Sequence, residues 1–180
     1  PSPFGANVGL GRAWLAAGRR MEARYLLTGM HDDYPADPDV LLALAEVVAL
    51  DGSIEEVAAL LGHVARGRAS LAFLHENGEN ESALPSSRMA SDRAQRASRI
   101  AEICWRQGVY PVAVQAFAIA RSYRPDDPRI YLNEGLALVG NNSTELAIVR
   151  FDQSQPLHHV LDRNWIRVIE DRLIDLEQVL

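Results

Sequence analysis

The sequence predicts an all-α protein made of stacked helix–turn–helix units, a solenoid. Three observations predict it. A turn residue recurs at a fixed interval, because Gly18 and Gly52 stand 34 residues apart and so do Gly108 and Asn142. Each is followed by apolar residues at helical spacing: Ala23 and Leu27, Val57 and Leu61, Ala113 and Phe117, Ala147 and Phe151. An Asp-Pro pair opens a helix at Asp37-Pro38 and again at Asp127-Pro128, an interval of 90 that equals two periods plus 22. A fixed period of this size marks units that bury their apolar faces on one another.

The elements follow in order. Residues 1–3 are a loose end. A first helix over about 4–17 carries Leu10, Ala13, Trp14 and Ala17 on one stripe. A second, over about 20–32, carries Ala23, Leu26, Leu27 and Met30. The acidic, proline-containing link HDDYPADPD is a loop, and Asp37 caps the next helix with Pro38 in its first turn. That helix, about 38–50, is apolar almost all round and so lies between neighbours. Its partner runs over about 53–66, with Ser53 and Glu56 at capping-box spacing.

The period then slips, since Gly52 to Gly108 is 56 residues, or 34 plus 22. Residues 66–75 extend the preceding helix, 76–86 (ENGENESALPS) form a polar loop, and helix resumes near 87–107. Further helices follow at about 111–123, 128–140 and 144–155. A last one, about 160–179, has Trp165, Ile169, Leu173, Leu176 and Leu180 on one face and ends the stack as a cap. The division is one domain, 1–180, with units at about 4–37, 38–66, 94–127 and 128–161. An insertion occupies about 67–93 and the capping helix about 162–180.

These residues and their spacing resemble the tetratricopeptide repeat. The third unit carries the pattern most fully, as Gly108, Tyr110, Ala113, Phe117, Ala120 and Pro125. The fourth fits at Gly135, Ala147 and Phe151, and the first at Gly11, Gly18, Ala23 and Pro35. The second departs, with Val57 and Leu61 where alanine and an aromatic are usual. The resemblance covers about four fifths of the chain. It implies a right-handed α-solenoid of about four units with a concave face lined by first helices. It also implies a scaffold that binds a protein or peptide without chemistry or cofactor.

Composition narrows the functions. The net charge of −6 argues against a nucleic-acid surface. No apolar run is long enough to insert in a membrane. All 18 basic residues are arginine. GC-rich codon usage in a bacterial source is the preferred reading of the missing lysine, with selection against lysine modification as the alternative. The lone Cys104 allows no internal disulfide and reads as a core residue. The chain opens at Pro1 and not Met, so the lack of a signal peptide leaves cytoplasm and periplasm both open. Catalysis has little support. The five histidines are scattered, no His/Glu pair has zinc-protease spacing, and GLGRAW at 9–14 lacks the third glycine of a dinucleotide site.

The candidate site is therefore the concave groove. First-helix spacing, taken with the resemblance, nominates Arg12, Leu15, Leu42, Glu46, Glu102, Trp105, Arg106, Arg129 and Leu132. Trp105 beside Arg106 is the preferred anchor, because Trp and Arg dominate binding hot spots. Arg121, on a second helix, is expected to be a bystander to binding. Some members of the family grip a C-terminal carboxylate with Lys, Asn and Arg. The matching places here are Val8, Arg12, Ala43, Arg129 and Asn133, which disfavours a heat-shock-protein tail receptor. The leading function is a scaffold or adaptor for a protein or peptide, with self-association into a homo-oligomer left open. The alternative is the periplasmic repeat region of a polysaccharide-export, secretion or pilus-assembly machine.

Overall fold

The computed structural model of the protein describes residues 3–76 and 85–154, with backbone alone at 3, 4 and 71–76. Eight helices are present among these residues and no strand. They are α1 (Pro3–Ala16), α2 (Arg20–Asp33), α3 (Pro38–Asp51), α4 (Ile54–Glu76), α5 (Ser87–Arg106), α6 (Tyr110–Tyr123), α7 (Pro128–Gly140) and α8 (Thr144–Ser154). Each odd-numbered helix packs on the even-numbered helix that follows it. Successive pairs stack through α1 and α2 on α3, α3 on α5, α4 on α6, and α6 on α7. The result is an α-solenoid.

The turns explain why the chain folds into pairs. Gly18, Gly52, Gly108 and Asn142 have φ of 78°, 80°, 76° and 56°, and no other described residue has a positive φ. A left-handed residue at this place lets the chain double back and close the preceding helix. The next N–H bonds a carbonyl five residues back: Arg19 to Trp14, Ser53 to Val48, Val109 to Cys104, and Ser143 to Leu138, at 2.8–3.3 Å. The turn residues that recur at 34 in the sequence are thus the four left-handed residues of the structure. Helix starts are equally local. The Asp37 carboxylate accepts from the N–H groups of Asp39 and Val40, and Asp127 accepts from that of Arg129.

Packing within a pair follows one pattern. A small residue on the first helix is followed 16 positions later by a large one on the second, in the sets Gly11/Leu27, Ala45/Leu61, Ala101/Phe117 and Gly135/Phe151. All eight are buried. A Cβ at Gly11 would come within 3.0 Å of the Leu27 side chain, and one at Gly135 would collide with the Phe151 ring. The small residue is what lets the helices approach closely enough to bury the large one. Ala23, Val57, Ala113 and Ala147 hold the next equivalent position, each fully buried.

The insertion has a structural result where it is described. It lengthens α4 to 23 residues, as the extension over 66–75 predicted. Arg68 on that extension donates to the Ser122 carbonyl at 2.6 Å and lies 4.6 Å over the Tyr123 ring, so the added turns clasp the end of α6. Residues 77–84 of the expected loop and the expected capping helix at 162–180 lie outside the described residues.

Phe117 and Phe151 fill the same place in consecutive pairs. Truncating either to Ala is expected to cost about 3–5 kcal/mol in chemical denaturation. Near-wild-type midpoints for both variants would contradict the repeat register.

Candidate functional site

The groove depends first on how α5 meets α3. Four links join them. Arg93 grips Asp39 through two bonds of 3.1 and 2.8 Å, and Arg96 donates to the Asp39 carbonyl at 3.0 Å. Arg99 reaches Glu46 at 3.4 Å, and the Gln107 side chain donates to the Ala49 carbonyl at 3.0 Å. Their sequence separations are 54, 57, 53 and 58. They bracket the offset of 56 set by Gly52 and Gly108, so α3 and α5 run parallel.

This junction is charged and buried. Arg93 and Arg96 are both almost fully covered. Burial opposes the Arg93 charge, but the Asp39 carboxylate outweighs it and Arg93 holds its proton more firmly than a free arginine. Arg96 holds its proton less firmly, first through burial and then through the charge of Arg12. Its Nε is buried without a partner among the described residues. Sequence reading missed both arginines: their spacing sets them on the same stripe as Ala97, Ile100 and Cys104, but the partner that lets them be buried there, Asp39, lies more than 50 residues away.

Two cavities open along the first helices. One, of about 420 Å³, lies between α1 and α3 and is lined by Arg12, Leu15, Glu46, Leu50 and Arg99 among others. The other, of about 390 Å³, lies between α5 and α7, where Gln95, Ser98 and Glu102 face Arg129 and Asn133. The candidate residues separate accordingly. Arg12, Leu15 and Glu46 come together in the first cavity, and Glu102 and Arg129 in the second. Trp105 and Arg106 follow Glu102 by three and four positions at the end of α5, both exposed, the tryptophan at 43%.

Three assignments change. Leu42 and Leu132, expected in the groove, are both 0% exposed and belong to the core. The almost wholly apolar α3 is covered by α1, α2, α4 and α5, so its Leu41, Leu42 and Leu44 face no solvent. Glu46 is only 7% exposed and already committed to Arg99, so it lines the cavity wall and is not a free charge. Conversely, Arg99, Gln95 and Arg124 line the cavities without having been nominated, and so does Asn133, which entered only as a carboxylate-grip position. The polar row 91–95–98–102 on α5, at spacings of three and four, was the signal available for it.

Arg121 has a structural role. Glu134 on α7 is 2% exposed and accepts from Arg121 at 2.8 Å and from Arg150 at 2.9 Å, tying α6, α7 and α8 together. Cys104 lies fully buried in α5, and burial pushes its thiol up to about 11, which suits a core residue and not a nucleophile. Among the described residues no cluster of His, Cys, Asp and Glu could hold a metal ion, and no helix is long and apolar enough to cross a membrane.

This geometry has counterparts among solved structures. Over 88% of this chain and 80% of the other, it superposes on the crystal structure of MamA with a TM-score of 0.54 at 15% identity. Over 99% and 97% it superposes on MamA 41-end from Desulfovibrio magneticus RS-1, with a TM-score of 0.53 at 16% identity. The fold is the tetratricopeptide-repeat fold. At such identities the likeness shows the shared fold and nothing further. YrrB, titled a TPR protein with an unusual peptide-binding site, superposes at a TM-score of only 0.35, too loose to transfer anything to this chain. No protein-family model matches the sequence, and no curated relative matches it.

Replacing Arg121 and Arg150 together by Met strands the Glu134 carboxylate. The double variant is expected to lose about 3–5 kcal/mol in urea denaturation. Adding Glu134→Gln should restore part of that loss. A triple variant no more stable than the double one would show that the buried charge is not what the arginines offset.

Proposed function

We propose that this protein is a non-catalytic scaffold that binds a segment of another protein in the groove along α1, α3, α5 and α7. The observation that carries the reading is the pair of open cavities between first helices, one with a mixed and one with a mostly polar wall, with a half-exposed tryptophan at the end of α5. Trp and Arg are among the residue types enriched at binding hot spots. A groove walled by rigid helices is preformed, so a ligand binds without first ordering the site. Leu15 and Trp105 supply apolar contact when the groove is filled.

Under this reading Trp105 and Arg106 are anchors, Arg12 and Arg129 offer cations, and Glu102 offers an anion. Leu15 packs against the ligand, while Glu46 acts indirectly by holding Arg99. Arg121 acts on stability alone.

Once a binding partner has been captured, its affinity for Trp105→Ala tests the assignment. A loss of roughly 2 kcal/mol, about 30-fold in Kd, is expected by calorimetry. If Trp105→Ala binds normally while deletion of 77–84 abolishes binding, recognition lies in the insertion and not in the groove.

A further inference from the structure

The charges of the groove are not evenly spent. In the α1–α3 cavity the one carboxylate, Glu46, is taken by Arg99. Arg12 is left with no ion pair among the described residues, and its charge presses on Arg96 behind it. In the α5–α7 cavity the pattern is the reverse. Arg124 is paired with Asp126 at 3.0 Å and Arg129 with Asp127 at 2.9 Å, which leaves Glu102 without an ion pair among the described residues. The groove therefore has an uncommitted cation on one side of α5 and an uncommitted anion on the other.

Resting on the protein-binding reading, we propose that the groove takes an extended segment with an acidic side chain for Arg12 and, four to six residues away, a basic side chain for Glu102. The separation follows from geometry. Neighbouring packed helices lie about 8–10 Å apart, so two steps across the groove span about 16–20 Å. An extended chain advances about 3.3 Å per residue and covers that span in about five residues. Arg12 is partly buried in its cavity, where water and salt screen it less than on an open surface, while Glu102 lines the other cavity from an exposed position. A uniformly acidic segment would meet Glu102, and a uniformly basic one would meet Arg12 and Arg99. Either is rejected by like charge, so the groove selects a mixed segment.

The test is selection from a random dodecapeptide library on the immobilised full chain, followed by fluorescence anisotropy with the best synthetic peptide. The wild type should enrich peptides with Asp or Glu and Lys or Arg four to six residues apart. Arg12→Glu and Glu102→Arg should each weaken that peptide at least tenfold. A peptide with the corresponding charge reversed should recover most of the loss. Arg12→Gln and Glu102→Gln, with no new charge, should show smaller losses of the same sense and serve if a reversal disturbs its helix. Enriched peptides without the charge pair, or binding unchanged within twofold in all four variants, would overturn the charge assignment while leaving the scaffold reading intact. No enriched peptide at all would overturn the scaffold reading and this inference with it.

Discussion

The concave face depends on the Asp39 carboxylate. Arg93 grips it through two bonds and Arg96 donates to the carbonyl of the same residue, which fixes α5 beside α3 across the insertion. Without that register Arg99 could not meet Glu46, and the two cavities would not share α5 as a wall. The ions are largely out of water, so their attraction is spent mostly on desolvation. What the pairing fixes is the alignment of α3 with α5. A wholly apolar contact of the same area would tolerate a slip of one turn, whereas a bidentate pair does not. Tyr123 adds to the same corner, since Arg93 and Arg68 approach its ring from α5 and α4.

The fold was legible because its causes are local and repeated. A left-handed turn needs glycine or asparagine, and Gly18, Gly52, Gly108 and Asn142 stand at the period. A helix that opens at proline needs an acceptor before it, and Asp37 and Asp127 supply it. The large residue of each pair recurs as Leu27, Leu61, Phe117 and Phe151 at the same intervals. Even the 22-residue slip was readable, because two markers, glycine and Asp-Pro, gave it independently.

The groove was less legible because it depends on contacts between units. Spacing places Leu42 and Leu132 on first helices, but how deep a residue lies is decided by neighbouring helices far away in sequence. The same holds for Glu46, whose partner is 53 residues away. Arg93 and Arg96 interrupt an otherwise small, apolar stripe on α5, and only the carboxylate and carbonyl of Asp39 make that tolerable. Spacing alone suffices to place Arg12, Glu102 and Trp105 on first helices and outside the core, because no helix from a distant unit buries them.

Hydrogen exchange resolved helix by helix tests the central claim, that the Asp39 junction joins α3 and α5 into one unit, most directly. In the wild-type protein the slowest amides of α3 and α5 should share one opening free energy. Asp39→Asn should lower the protection of both helices by the same amount, while α7 and α8, held by Glu134, change less. If α3 and α5 open independently in the wild type, or Asp39→Asn leaves α5 as protected as before, the junction is not what holds the groove together.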